Sequence, residues 1–271
     1  MRIFLLRHGQ SKANLDTEAY EKDGDSRVGL TDTGWEQAIG AGRFLKEYFA
    51  KNGETNPEDM RVWVSPYDRT RQTVSGLLYG AEENWKVRID ASLIEQDFGD
   101  YFVFTKGTKD SPPSLFNLEF NKPIRRYEDE WSKDKFFARP PRGERPCDVQ
   151  NRVKDSIDTI WRDIEKGRPD HIVVTHGVNL RAFAMDFMHI DPKHYTEFLN
   201  PPNCGIYVIE GEKNGPYSFR QIYDGEKGEA VDIDWGEKLK AGQAVIPSVP
   251  DHIREKFEAP PLKPVKERKP G

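Results

Sequence analysis

Residues 3–11 of this 271-residue chain read IFLLRHGQS. Four apolar residues give a short β-strand pattern, and the strand ends at a histidine that is followed by glycine and small polar residues. Residues 173–177 read VVTHG and repeat this order, with a helical pattern beginning after the glycine. Ligands of parallel α/β sheets bind beyond the carboxyl ends of the strands. If the two strands are neighbours, His8 and His176 therefore face one crevice.

The first two-thirds of the chain alternate β-rich runs with amphipathic helical patterns, which is typical of an α/β domain. We predict a three-layer sandwich in which helices cover both faces of a mostly parallel central sheet. The predicted strands are Arg2–Leu6, Arg61–Ser65, Val87–Ile89, His171–Thr175 and an edge hairpin of Ile206–Glu210 with Tyr217–Tyr223. The predicted helices are Gly34–Ala50, Asp148–Lys166 with Asp148 as N-cap, and one that starts just after His176.

Two segments depart from this alternation. Residues 102–145 contain several prolines and ten Lys or Arg against seven Asp or Glu, so we expect a lid-like or binding insertion there. Residues 241–271 are rich in proline and lysine and are expected to form a surface or disordered tail. The predicted domain is thus residues 1–240 with this insertion, followed by the tail.

Composition excludes several classes of protein. The net charge of −5 argues against a general nucleic-acid binder, and no run of about 18 apolar residues predicts a membrane span. Two cysteines do not make a disulfide framework, so a reducing cytoplasm is expected. Neither a nucleic acid nor a membrane is therefore an expected partner, and oligomeric state is not predicted.

Two further segments bring charged groups to the same edge. Residues 65–73 read SPYDRTRQT after a predicted strand, which would aim an arginine of the following helix at the rim; Arg69 and Arg71 both compete for this role. Residues 93–99 read LIEQDFG and supply a carboxyl group able to protonate a leaving oxygen. Spacing alone does not choose between Glu95 and Asp97.

Taken together, these motifs resemble the histidine phosphatase superfamily in its phosphoglycerate mutase-like branch, over about residues 1–210. The matching segments are RHG at 7–9, LT at 30–31, SPYDR at 65–69, QT at 72–73, Glu95 and HG at 176–177. The segments EQDFG at 95–99, RPPRGE at 139–144 and NPPN at 200–203 are similar to a broad-specificity phosphatase subgroup. Arg145, where serine is usual, and residues 102–121, which do not align, depart from that pattern and leave the substrate open.

The resemblance implies a role for each matching residue. His8 is then the nucleophile, and Glu95 is the acid–base residue. Arg7, Arg69 and a cationic His176 cradle the phosphoryl group. Asn14 matches a position that commonly touches substrate phosphate, and Gly177 belongs to the same phosphate-binding turn.

These residues and the resemblance predict a phosphatase that acts on a phosphorylated small molecule, forms a phosphohistidine on His8 and needs no metal or other cofactor. The alternatives are a phosphoglycerate-type phosphomutase and a non-catalytic phospho-ligand-binding protein. Arg125 and Arg126, adjacent in the basic insertion, favour substrates with more than one anionic group, whereas a merely solvated loop is an equal alternative.

Overall fold

The computed structural model describes residues 1–53, 56–99, 115–212, 215–243, 247–251 and 253. Its strands are β1 (Arg2–Arg7), β2 (Arg61–Val64), β3 (Lys86–Ile89), β4 (Asp170–Thr175), β5 (Ile206–Gly211), β6 (Tyr217–Asp224) and β7 (Glu229–Asp234). Within the described ranges they form one seven-stranded sheet in the order β3-β2-β4-β1-β5-β6-β7. The first four of these run parallel, and β5, β6 and β7 each pair antiparallel with the preceding strand of that order. The predicted α/β class is confirmed.

Helices lie on both faces of this sheet. They are α1 (Lys12–Leu15), α2 (Ala19–Asp23), α3 (Asp32–Asn52), α4 (Asp68–Ala81), α5 (Leu115–Lys133), α6 (Pro146–Glu165), α7 (Gly177–Phe187) and α8 (Trp235–Lys238). Helices α3 and α4 pack together, as do α6 and α7.

Alternation along β1 explains the three layers. Ile3 and Leu5 join the core that contains the apolar stripes of α6 and α7, whereas Phe4 and Leu6 join the core of α3 and α4. All four side chains are fully buried. A strand buried on both faces reads as a continuous apolar run, which is why this stretch carries no polar alternation.

Two details of the sequence-based prediction were wrong. Helix α6 begins at Pro146 after Arg145 as N-cap, and Asp148 is instead its third residue. There the Asp148 carboxylate accepts a hydrogen bond from the backbone N–H of Arg145 at 2.9 Å. Asp148 therefore caps the helix N-terminus from within the first turn. The predicted hairpin exists, but β7 pairs with its outer strand and forms the sheet edge.

The predicted insertion is helical over part of its length, because it contains α5. Residues 100–114 lie outside the described residues, as does most of the tail after residue 243. Arg125 and Arg126 are exposed on α5, and the Arg126 guanidinium pairs with Glu130 one turn later at 2.9 Å. None of the helices in the described part of the chain has the length and apolar character that a bilayer crossing requires.

Candidate active site

The two histidines of the repeated strand pattern lie side by side. Strands β1 and β4 are adjacent and parallel, with Arg7 opposite Thr175, and the backbone N–H of His8 donates to Thr175 at 2.9 Å. The imidazole centroids of His8 and His176 are 5.3 Å apart, and both rings are buried. The two histidines therefore lie together beyond the carboxyl ends of neighbouring strands.

His8 has one ring nitrogen engaged and one available. Its Nδ1 lies 2.7 Å from the Gly9 carbonyl oxygen, which can only accept, so Nδ1 carries the hydrogen and Nε2 keeps its lone pair. Burial lowers the pKa of His8 well below its usual range, and the charges of Arg69 and Arg7 lower it further. The ring is thus neutral near pH 7, as a nitrogen nucleophile must be.

His176 is held by Ser65, at the end of β2. The His176 Nε2 atom lies 2.8 Å from the Ser65 hydroxyl, while its buried Nδ1 has no protein partner in the described structure. Burial, then Arg69, His8 and Arg7, lower the pKa of His176 well below its usual range. Without a bound anion, His176 is therefore neutral, and the expected cationic form was wrong. A neutral ring whose Nε2 accepts from Ser65 still presents an Nδ1–H donor.

Arg69, and not Arg71, is brought to the histidines. The Arg69 side chain is 2% exposed, and its charge acts on both imidazoles. One terminal nitrogen donates to the Asp25 carbonyl at 2.6 Å and lies 2.9 Å from the Asp25 carboxylate. The Arg71 side chain is 57% exposed and pairs with Asp68 at 3.8 Å.

Arg7 also acts on both histidines, because its charge lowers the pKa of each. Its terminal nitrogen donates to the Pro201 carbonyl at 2.6 Å, and its buried Nε has no protein partner in the described structure. Gly177, at the start of α7, lets Asn200 approach the backbone, because a Cβ there would be 2.3 Å from the Asn200 amide oxygen, while its 3.7 Å distance from Arg7 Nε would be an ordinary contact. Any other residue at 177 would displace the Asn200 side chain.

Glu95 is the carboxylate directed at the site. One oxygen accepts the N–H of Gln96 at 2.9 Å, and the other lies 3.5 Å from the N–H of Val178 in the first turn of α7. Its charge acts on the pKa of Arg7. Asp97 is exposed and instead accepts the N–H of Gly99 at 2.7 Å, in a local surface turn.

The backbone of the Glu95 loop is held by a partly buried network. The Arg152 guanidinium donates to the carbonyls of Ser92 (2.6 Å) and Glu95 (2.9 Å), and to both carboxylate oxygens of Glu144 (3.0 Å each). Asn179 donates to the Ser92 and Ile94 carbonyls at 3.0 and 3.1 Å. The loop therefore has little freedom to move its carboxylate.

Asn14 lies at the exposed rim. Its amide oxygen accepts from the backbone N–H of Ser11 at 2.9 Å and lies 3.4 Å from the Asn203 amide nitrogen. The oxygen is thus turned inward, which leaves the amide N–H groups as the end that can meet an anion. Asn203 also donates to the His8 carbonyl at 3.0 Å and so ties this rim to the end of β1.

Gly9 is required by close packing rather than by its backbone angles. A Cβ at Gly9 would lie 2.4 Å from the Gly34 carbonyl oxygen, and one at Gly34 would lie 2.1 Å from that of Gln10. The backbone after His8 therefore runs against the start of α3. Thr73 of α4 accepts the Gly9 N–H at 3.0 Å, which links the first motif to the helix of Arg69.

Some site residues were not predicted from the sequence. Ser65 and Tyr67 belong to a quoted motif, but a side-chain role was assigned only to its arginines. The Tyr67 ring lies 5.1 Å from that of His176 and 4.8 Å from the Arg69 guanidinium carbon. Nothing in the sequence pointed to Asp25, because Arg69, the residue it contacts, is 44 residues away.

Among the described residues, three buried nitrogens of this site have no protein partner: Arg7 Nε, Arg69 Nε and His176 Nδ1. Buried polar groups are nearly always paired, so these atoms indicate a place for a ligand that accepts hydrogen bonds. An oxyanion between two guanidiniums and an imidazole N–H meets that need. Across the described ranges, no cluster of three His, Cys, Asp or Glu side chains has the spacing of a metal site.

Comparison with known proteins identifies proteins that are similar to this chain in sequence or in fold. The chain is 34% identical over 228 residues to phosphoglycerate mutase-like protein AT74 of Arabidopsis thaliana, covering 80% of this chain and 67% of that one. It is 24% identical to the broad-range acid phosphatase DET1 of Saccharomyces cerevisiae, covering 81% and 88%. The solved mycobacterial glucosyl-3-phosphoglycerate phosphatase has the same fold, with a TM-score of 0.57, 19% identity and coverage of 82% and 98%.

A family model agrees with these relatives over most of the chain. The model of the histidine phosphatase superfamily (branch 1) matches residues 3–222, which include both histidine motifs and the motifs of Arg69 and Glu95. The resemblance recognised in the sequence is thereby confirmed, and this chain is a member of the histidine phosphatase superfamily.

Proposed function

We propose that the chain is a metal-independent phosphatase that hydrolyses phosphate monoesters of small molecules through a phosphohistidine on His8. One observation carries the proposal: a buried neutral imidazole with a free Nε2 feels the charges of the buried Arg69 and the partly buried Arg7, and the buried Nε atoms of both arginines have no partner among the described residues. The arginines stabilise the charge that spreads over the phosphoryl oxygens, and the low pKa keeps the nucleophile unprotonated. The yeast relative named as a broad-range acid phosphatase supports this assignment.

In the first step, His8 Nε2 attacks phosphorus and the bond from phosphorus to the ester oxygen breaks. Glu95, in its protonated form, gives the departing alkoxide a proton and becomes a carboxylate. Arg7, Arg69 and the Nδ1–H of His176 hold the three non-bridging oxygens. The products are the free alcohol and N-phosphorylated His8.

In the second step, water attacks phosphorus and the P–N bond breaks. The Glu95 carboxylate takes a proton from that water, so Glu95 is again protonated and His8 is again neutral. Inorganic phosphate is released. A phosphomutase would instead return the phosphoryl group to a substrate hydroxyl, and one relative is named mutase-like, so the second step decides between the two activities.

The test is an incubation with p-nitrophenyl phosphate and with 3-phosphoglycerate, in buffer with EDTA. Steady release of inorganic phosphate supports the proposal, as does an acid-labile phosphoenzyme trapped by rapid quenching. His8→Ala must lose both signals, whereas His189→Asn, which changes an exposed histidine, must keep them. Isomerisation of 3-phosphoglycerate without phosphate release would overturn the hydrolytic step, and full activity of His8→Ala would overturn the nucleophile.

A further inference from the structure

Asp25 places a negative charge beside the phosphate-binding arginine. Its carboxylate lies 2.9 Å from an outer nitrogen of Arg69, and the Asp25 side chain remains 44% exposed while that of Arg69 is 2% exposed. The carboxylate therefore stands between the buried cradle and solvent. Only one terminal nitrogen of Arg69 has this partner, and the buried Nε still lacks one.

Tyr67 forms the neighbouring part of this rim. Its half-buried ring contacts both His176 and Arg69, with separations of 5.1 Å between ring centroids and 4.8 Å from the Arg69 guanidinium carbon to the ring. Burial, with a further contribution from the charge of Asp25, raises the pKa of Tyr67 to about 12. The phenol is therefore neutral and can donate or accept a hydrogen bond.

The geometry of phosphoryl transfer fixes the side on which the alcohol leaves. Attack and departure occur in line, so the ester oxygen leaves on the side of phosphorus opposite His8. The cradle atoms are buried, and His8 itself is 4% exposed, so the alcohol has to extend to the open side. The proposed acid Glu95 marks the leaving side, and its charge and that of Asp25 both act on the pKa of Tyr67, so Tyr67 lies near both carboxylates.

We propose that Asp25 and Tyr67 select the alcohol part of the substrate, favouring phosphate monoesters of neutral, hydroxyl-bearing small molecules over those with a second anionic group. This inference rests on the proposed phosphatase activity. A carboxylate accepts hydrogen bonds from substrate hydroxyls and repels a second phosphate or carboxylate within a few ångströms. The rim thus favours the opposite of the multiply anionic substrates that the basic insertion suggested.

Three substrates with the same three-carbon skeleton test this selection. Propyl phosphate has no hydroxyl, glycerol 3-phosphate has two hydroxyls, and 3-phosphoglycerate has one hydroxyl and a carboxylate. For the wild type, we expect kcat/KM for glycerol 3-phosphate to exceed that for 3-phosphoglycerate by at least about tenfold. We expect propyl phosphate to fall between them.

Variants at residue 25 separate charge from hydrogen bonding. Asp25→Asn removes the charge but keeps a hydrogen-bonding oxygen. The ratio of kcat/KM for 3-phosphoglycerate to kcat/KM for glycerol 3-phosphate should therefore rise at least about fivefold. The preference for glycerol 3-phosphate over propyl phosphate should persist. Asp25→Glu retains the charge, and Asp23→Asn removes an exposed charge two residues away, so neither should change the first ratio.

The outcomes distinguish the inference from the activity on which it rests. If the wild type releases no phosphate from p-nitrophenyl phosphate, the proposed function fails and the inference fails with it. If p-nitrophenyl phosphate is hydrolysed but Asp25→Asn leaves the ratio unchanged, only the inference is overturned. It is also overturned if the kcat/KM of the wild type for 3-phosphoglycerate equals its kcat/KM for glycerol 3-phosphate. Tyr67→Phe gives a second measurement, and we expect it to weaken the preference for glycerol 3-phosphate over propyl phosphate.

Discussion

The imidazoles of His8 and His176 follow two adjacent parallel strands, and their centroids are 5.3 Å apart. Neighbouring strands are about 4.8 Å apart, so the spacing of the strands sets the separation of the rings. A tetrahedral anion bound above the pair can meet the Nε2 of His8 and the Nδ1 of His176 together. The predictions below follow from this pair and the groups around it.

The acid limb of the pH profile reports the state of His8. Because burial and the charges of Arg69 and Arg7 lower the pKa of His8, protonation inactivates the nucleophile only well below pH 6.5. Arg7→Met removes one of these charges and should shift the acid limb of kcat/KM to higher pH, by up to about one unit. The profile of p-nitrophenyl phosphate hydrolysis at constant ionic strength measures this. Arg162→Met, at an exposed position, is the control and should leave the acid limb of kcat/KM unchanged. If Arg7→Met also leaves the acid limb unchanged, the charge of Arg7 does not lower the pKa of His8 as proposed.

Glu95→Gln tests the acid–base assignment through leaving-group dependence. The amide cannot give a proton to the departing oxygen, so hydrolysis of an alkyl phosphate should slow by about 10²–10⁴-fold. Formation of phosphohistidine from p-nitrophenyl phosphate should slow less, because nitrophenolate leaves without protonation. Single-turnover rates for the two substrates measure the difference. Asp97→Asn keeps the turn at Gly99 and should change neither rate by more than about twofold; the reverse pattern would assign the role to Asp97.

Arg69→Lys tests the need for a guanidinium rather than a charge. Lysine keeps the charge but loses the fork that reaches Asp25 and an oxyanion together, so kcat should fall about 10²-fold or more. The same change at the exposed Arg71 should have an effect within about twofold. Steady-state kinetics on one substrate compare the two variants. An equal loss of kcat in both would contradict the assignment of phosphate binding to Arg69 rather than Arg71.

His171 should control stability at low pH without affecting catalysis. Its Nδ1 accepts from the Trp63 indole N–H at 3.1 Å, and Nε2 donates to the Arg168 carbonyl at 3.0 Å, so the buried ring is satisfied only when neutral. Burial lowers the pKa of His171 to about 4. The unfolded state therefore binds the proton first, and the free energy of unfolding falls as the pH drops from 6.5 toward 4.

The size of this effect is measurable by urea unfolding at pH 7 and pH 5. His171→Gln removes the titration, so the loss of stability between these two pH values should be about 2 kcal/mol smaller than in the wild type. Activity at pH 7 should remain for the folded fraction, because His171 lies near the opposite end of β4 from His176. His189→Asn is the control, and an equal pH dependence in both variants would disprove the assignment.

Local patterns predicted most of the fold. Strands β1, β2 and β4 follow apolar runs, and α3 and α6 follow apolar stripes, because burial on one or two faces leaves a periodic mark. Strand β3 alternates polar and apolar residues but is exposed along its length. The edge strand β7 was missed although Val231 and Ile233 alternate with acidic residues, a weak pattern that is typical of an exposed edge. The role of Asp148 was misplaced because a capping carboxylate can act from the N-cap or from the third helical residue.

The site was predictable where it depends on the ends of strands. His8 and His176 follow from the rule that parallel strands deliver their carboxyl ends to one edge. The choice of Arg69 over Arg71 depends on how α4 is rotated against the sheet, which spacing does not record. The pairing of Asp25 with Arg69 joins a short 3₁₀ turn to a helix across 44 residues, and only the folded chain reveals it.

The adjacency of β1 and β4 has a consequence for how such a protein can diversify. Each of these strands has a partner on both sides, so His8 and His176 follow strands that are hydrogen-bonded along both edges. Asp25 and Tyr67 instead sit in connections above the sheet, where replacement disturbs no ladder. A combinatorial library restricted to these two positions should therefore yield altered substrate preferences at little cost in folding yield.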